Sequence, residues 1–205
     1  MNIGFDIDYT ITNPFNYEYG LAIKYLEDNG LPTIMKYPEK FGMLEKFGIS
    51  NKEANKFWDI IAVDVLKNGD LNGNIKEVID KLKADGHKII LITARGASDL
   101  KCVNPYVLSF LWLKEKGIKF DKIICRDTDK VQNCLKYNVD IFIDDNINVI
   151  HNLSAKGIDS ILISAPHNKQ YKEILPSNVN FANCPNDIYE IISQKTNKTE
   201  IQLEK

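Results

Sequence analysis

Asp6 and Asp8 stand one residue apart in the stretch GFDIDYTIT, residues 4–12, directly behind an apolar opening. On an ordinary surface, carboxylates this close repel each other. At the end of a buried strand they suit a site that holds a cation or a reacting group. Other apolar runs end in a similar way. KIILIT (88–93) delivers Thr93, followed by Ala94 and Arg95, and DIFID (140–144) delivers Asp144, followed by Asp145. The helix expected ahead of DIFID begins near Asp129 and Lys130. If these ends share one edge of a sheet, three or four carboxylates meet in one crevice, and they cannot all stay ionised without a cation among them. Hard oxygen donors with no Cys or His favour Mg²⁺. Mg²⁺ beside a lysine and a threonine hydroxyl suits a phosphoryl group. The metal and Lys130 neutralise its equatorial oxygens, while Thr93 and nearby backbone N–H groups donate hydrogen bonds. Asp6 can then attack phosphorus to form an aspartyl-phosphate, and Asp8 can protonate the leaving oxygen and later deprotonate the hydrolytic water.

The elements that must position these residues are legible as runs and periods. NIGFDI, KIILIT, KIIC (122–125), DIFID and SILIS (160–164) are short and nearly continuously apolar, as strands covered on both faces are. Helical patterns separate them. Ile75, Val78, Ile79 and Leu82 follow the i, i+3, i+4, i+7 spacing ahead of Gly86. Asn104 and Pro105 open another helix that Gly117 closes. The alternation predicts an α/β fold with a doubly wound parallel, Rossmann-like sheet. Asp8 to His87 spans 80 residues, whereas a crossover to a parallel neighbour needs only about 30. Residues 13–72 therefore read as a small, mainly helical cap inserted after the first strand, above the edge where open α/β sheets bind ligands. The core is then 1–12 with 73–194, and 195–205 is a polar, frayed tail. Most of the aromatics in the insertion read as its own core. Phe15, Tyr17 and Tyr19 lie nearest the first strand and are expected to meet the leaving group.

With 44% hydrophobic residues the chain can bury a sizeable core. Its 26 basic and 28 acidic residues leave no electrostatic footprint for nucleic acid or an anionic membrane. The N-terminus carries no secretory pattern, and no apolar run is long enough to span a bilayer. A cytoplasmic protein is the expectation. Cys102, Cys125, Cys134 and Cys184 lack C-x-x-C spacing and read as reduced, mostly buried thiols. His87, His151 and His167 are scattered and read as loop or helix-end residues.

D-x-D-x-T after a first strand, LITAR closing the second, a lysine before the fourth strand and DD ending it resemble the haloacid dehalogenase superfamily of phosphohydrolases. The four elements stand in the family's order over about residues 1–145. Alone, D-x-D-x-T would carry little; the set carries much. The resemblance implies an aspartate-nucleophile phosphatase with a cap after the first strand. It makes Asp145 the direct metal ligand, with Asp144 acting through water; Asp6 and Asp8 complete the ligand set. RDTDK ahead of DIFIDDN, together with the short cap, is most similar to bacterial nucleotidases related to 5'(3')-deoxyribonucleotidases. That implies a Mg²⁺-dependent phosphomonoester hydrolase acting on a nucleotide or similar small phosphorylated metabolite. Tyr9 departs from the pattern, since glycine is common there.

Alternatives stay open at this stage. Asp6 and Asp8 could be turn residues, and Thr93 a strand-end cap. Arg95 either contacts phosphate or pairs with a surface carboxylate. Lys122 and Lys136 compete with Lys130, but the first opens a strand and the second ends a helix. A sugar-phosphate phosphatase or phosphomutase would use the same machinery. A catalytically silent nucleotide- or metal-binding module, or an interaction protein docking through the aromatic insertion, are the rivals of another class. A homodimer is neither required nor excluded.

Overall fold

Five of the apolar runs pair side by side because each offers two greasy faces. The structure, a computed structural model, describes residues 1–96 and 104–203. Its strands and helices in chain order are β1 (Asn2–Phe5), β2 (Thr12–Asn13), α1 (Phe15–Asp28), α2 (Asn51–Asn68), β3 (Asp70–Leu71), α3 (Ile75–Ala84), β4 (Lys88–Ile92), α4 (Pro105–Glu115), β5 (Lys122–Ile124), α5 (Val131–Lys136), β6 (Ile141–Asp144), α6 (Ile147–Ser154), β7 (Asp159–Ile163), β8 (Val179–Ala182) and α7 (Pro185–Leu203). One six-stranded sheet has the order β5-β4-β1-β6-β7-β8, and every pairing in it is parallel. This is the doubly wound α/β architecture that the alternation predicts, with β1 in the middle.

Side chains alternate across the strands. Ile89 and Leu91 join Ile3, Phe5, Ile141 and Ile143 in a core under α3 and α7, while Ile90, Ile92 and Phe142 face α5 and α6. Gly4 is required at its position, because a Cβ there would lie 2.3 Å from the Phe142 ring. The caps of α4 form as expected, with Asn104 accepting from Tyr106 N–H and Gly117 in the left-handed region.

Two features differ from expectation. Strand β8 was not anticipated; its run VNFA is short and set among asparagines, and only pairing with β7 makes it a strand. Helix α7 continues through residue 203, across most of the segment expected to be a frayed tail.

Between β1 and β4 the chain builds a second cluster. Helices α1 and α2 and a 3₁₀ turn, Leu44–Phe47, bury Ala22, Leu26, Leu44, Phe47, Phe57 and Val65 against one another. Ser50 caps α2, accepting from Glu53 N–H. The chain leaves for this cluster through β2 and returns through β3, and those strands pair antiparallel as a two-stranded ribbon. Among the described residues, no helix is long and apolar enough to cross a membrane. Cys125, Cys134 and Cys184 are free thiols, and Cys102 lies outside the described residues. The thiols are not mostly buried: Cys134 is, Cys125 is half-buried, and Cys184 is exposed because it precedes α7 at the surface.

Candidate active site

Because all six strands run the same way, their carboxyl ends share one edge. Asp6 follows β1 directly, and its N–H donates to Ile143 O at 2.9 Å, tying the start of the loop to β6. Beyond it, the N–H groups of Ile11 and Thr12 turn back onto Ile7 O. That tight turn puts Tyr9 at φ 56. A bulky residue is strained there, which is the physical reason glycine suits the position.

Lys130 reaches the same place from the other side. Its own φ is 57, held by Asp127, whose Oδ1 accepts from the N–H groups of Asp129 and Lys130. The Lys130 ammonium donates to Asp6 Oδ1 at 2.6 Å and to Asp144 Oδ2 at 2.7 Å. Lys122 and Lys136 instead lie over the Tyr137 ring. Burial works against the charge of Lys130, but the Asp144 and Asp6 carboxylates outweigh it and hold the ammonium above its ordinary range. Burial is the largest influence on the acids too. It pushes Asp6 up to about 7 and Asp144 to about 6 against the pull of Lys130, and holds Asp145 well above its usual range.

Asp6, Asp144 and Asp145 bring one carboxylate oxygen each within 4.8 Å of one another. The two neighbours at the end of β6 thus both reach the crevice, although alternation along a strand would separate them; the chain leaves the strand between them. Asp8 is not in that cluster, in contrast to the expectation that it joins the ligands. Its carboxylate is forked by Arg95, with Nε at 2.9 Å from Oδ2 and Nη2 at 2.6 Å from Oδ1. The Arg95 side chain is 2% exposed and lies over the Trp112 ring. Of its two expected partners Arg95 therefore takes a carboxylate, though one at the site rather than on the surface. Thr93 is buried, with its Oγ1 accepting from Arg95 N–H, and Ala94 is exposed beside it.

These eight residues line one cavity of about 600 Å³. Its far side is made by the cap-side cluster, through Phe41, Met43, Leu44, Phe57, Trp58 and Leu66, with Glu18, Glu45 and Asn55 among them. Phe15, Tyr17 and Tyr19 are not part of the lining. Phe15 and Tyr17 pack on the cap-side core, and Tyr19 sits between the Phe15 and Phe47 rings. Closeness in sequence to β1 misled that expectation, since α1 turns this face toward α2.

Three further residues were missed. Glu18, buried on α1, accepts from the Tyr9 hydroxyl at 2.8 Å. Burial raises Glu18 to about 7, the Tyr9 bond opposes the shift and the Asp8 charge adds to it. His167, expected on a loop or helix end, is buried against Tyr9 and Phe41. Its Nε2 lies 2.8 Å from Asp145 Oδ2, yet neither atom has a hydrogen-bond partner among the described residues. Burial holds the imidazole down to about 4. Asn168 braces the same corner, donating to Asp145 O and Ile163 O. No sequence period marks these positions.

No family model matches the chain. It is 27% identical over 203 residues to a Clostridium acetobutylicum protein described as a nucleotidase, covering 98% of this chain and 97% of that one. Among solved structures, it is similar to a haloacid dehalogenase-like hydrolase of Streptococcus pneumoniae, with TM-score 0.64 and 14% identity over 93% of this chain and 97% of that one. It is also similar to a Clostridium acetobutylicum structure described as a predicted phosphatase, with TM-score 0.65 and 14% identity over 94% and 98% of the chains. The fold is that of the haloacid dehalogenase-like hydrolases.

Proposed function

We infer that this chain belongs to the haloacid dehalogenase superfamily of phosphohydrolases and that it is a phosphatase, a nucleotidase working through Asp6. The observation that carries the reading is the meeting of Asp6, Asp8, Thr93 and Lys130 at one sheet edge, below an aromatic wall. The relative described as a nucleotidase supports it.

Asp6, with Oδ1 held by Lys130, attacks phosphorus while the bond to the leaving oxygen breaks. The leaving oxygen keeps the electron pair and takes a proton from Asp8. Water then attacks phosphorus and gives a proton to Asp8 while the bond between phosphorus and the Asp6 oxygen breaks, which releases inorganic phosphate and regenerates the Asp6 carboxylate. The Arg95 fork fixes where the Asp8 oxygens stand, and Thr93 donates to the phosphoryl oxygens.

The acidic cluster fits Mg²⁺. Its donors are all hard oxygens, and Asp145 Oδ2, though 2.8 Å from His167 Nε2, is buried without a hydrogen bond among the described residues. Asp6 and Asp145 would hold the ion directly and Asp144, already bound to Lys130, through water; Asp8 stays with Arg95. Bound there, the ion would neutralise charge on the phosphoryl group. The test is phosphate release across nucleoside monophosphates and sugar phosphates, with Mg²⁺ and with EDTA. Mg²⁺-dependent release, greatest from a nucleotide, is expected. Release unaffected by EDTA would remove the metal, and a preference for sugar phosphates would remove the nucleotidase reading.

A further inference from the structure

The cavity has two ends of different chemistry. At the phosphate end, both cations among the described lining residues are already committed. Lys130 bridges Asp6 and Asp144, and Arg95 forks Asp8. At the leaving-group end, the described lining is aromatic and aliphatic, and its charged members are Glu18 and Glu45. Glu18 is buried and points at the Tyr9 hydroxyl. The Glu45 carboxylate lies against Gly42, another lining residue, where a Cβ would meet its Oε1 at 3.1 Å. Lys46, whose charge reaches Glu18, is buried and donates to the carbonyl oxygens of Pro38 and Lys40, so it is not offered to a ligand.

A ligand's second anionic group would therefore face the Glu45 carboxylate, and that of Glu18 in its ionised form, across an apolar space, with no described lining cation to receive it. The apolar walls weaken, without removing, the solvent screening of that repulsion. An aromatic ring gains contact area instead, and hydrogen-bond donors on its edge find acceptors in Glu45 and in the Asn55 carbonyl.

We propose that Glu45, with Glu18 behind it, makes the leaving-group end of this cavity an anion filter, so that the enzyme takes monophosphates of aromatic, uncharged or cationic leaving groups and rejects substrates carrying a second phosphate or a carboxylate. This rests on the phosphatase reading and narrows it.

The test compares kcat/KM for a nucleoside 5'-monophosphate, its 3',5'-bisphosphate and 2-phosphoglycolate in wild type, Glu45→Gln and Glu45→Lys, with melting temperatures to establish folding. Wild type should favour the monophosphate over the bisphosphate at least tenfold. Glu45→Lys should narrow that ratio by roughly tenfold, the scale of a unit charge reversed at close range, and Glu45→Gln by less. Equal efficiency on mono- and bisphosphate in wild type, or an unchanged ratio in both variants, would overturn the filter. Wild-type hydrolysis of p-nitrophenyl phosphate tells the two failures apart. If it is present, only the filter has failed; if it is absent, the phosphatase reading has failed and the filter with it. Should Glu45→Lys not fold, the neutral Gln variant decides by the direction of its ratio.

Discussion

Asp6 and Glu18 illustrate two uses of a buried carboxylate. Asp6 keeps a cation at contact distance, and Asp6→Asn keeps its shape while removing the proposed nucleophile. Turnover should fall by several orders of magnitude, because every later step needs the covalent intermediate. The variant should melt near the wild-type temperature; unchanged phosphate release from folded Asp6→Asn would reject the role. Glu18 has no described cation at hydrogen-bond distance, and burial raises it to about 7 from 4.5. A raised carboxylate means that the folded state binds a proton the unfolded state has released. Its contribution to stability is full below pH 4.5 and is lost as pH rises through 7. Glu18→Gln still accepts from the Tyr9 hydroxyl but does not titrate. Its melting temperature relative to wild type should therefore climb between pH 5 and pH 8, by about 4 °C or more. A flat difference across that range would show that Glu18 is not desolvated.

At the scale of elements, α1 and α2 carry two kinds of aromatic residue. Trp58 on α2 packs on the cap-side core and also lines the cavity, whereas Phe15 on α1 packs on that core and does not line the cavity. Stacking a base is typically worth about 1–3 kcal/mol. Trp58→Ala should thus lower kcat/KM on the preferred nucleotide by roughly 5- to 150-fold, and on p-nitrophenyl phosphate by less. Phe15→Ala should lower the melting temperature and reduce both activities in parallel. Identical behaviour of the two variants would deny Trp58 a role in recognition. The difference between these residues also marks how far sequence alone reaches. The sheet and its acidic edge were legible because apolar runs force strands, and parallel strands force their ends together. Which side of α1 faces the cavity depends on how α1 meets α2 and the 3₁₀ turn, and no local pattern encodes that. His167 escaped for the same reason: the loop after β7 carries no period, and only the fold brings it to Asp145. The pairing of Arg95 with Asp8 joins residues 87 positions apart, so type and spacing left its partner open.

For the molecule as a whole, the acidic cluster should make stability depend on ions. Asp6, Asp144 and Asp145 oppose one another within 4.8 Å, with Lys130 offsetting only part of the charge. A cation that binds only the native state stabilises it by mass action, about 2.7 kcal/mol at a hundred times Kd. Mg²⁺ should therefore raise the melting temperature by about 5–10 °C, and EDTA should reverse it. Ca²⁺ should also raise it while supporting little turnover, because it prefers more ligands and looser geometry. A melting temperature indifferent to all three would place the ion elsewhere or nowhere. The β2–β3 ribbon has a mechanical consequence. Both chain crossings between the sheet domain and α1–α2 lie side by side in two paired residues each, so the upper body is hung along one edge like a trapdoor. Side chains beside that ribbon tie the two parts as well, the Tyr9 hydroxyl on Glu18 next to β2 and the Trp112 indole N–H on Gly69 O next to β3, so both crossings are braced where they leave the sheet domain.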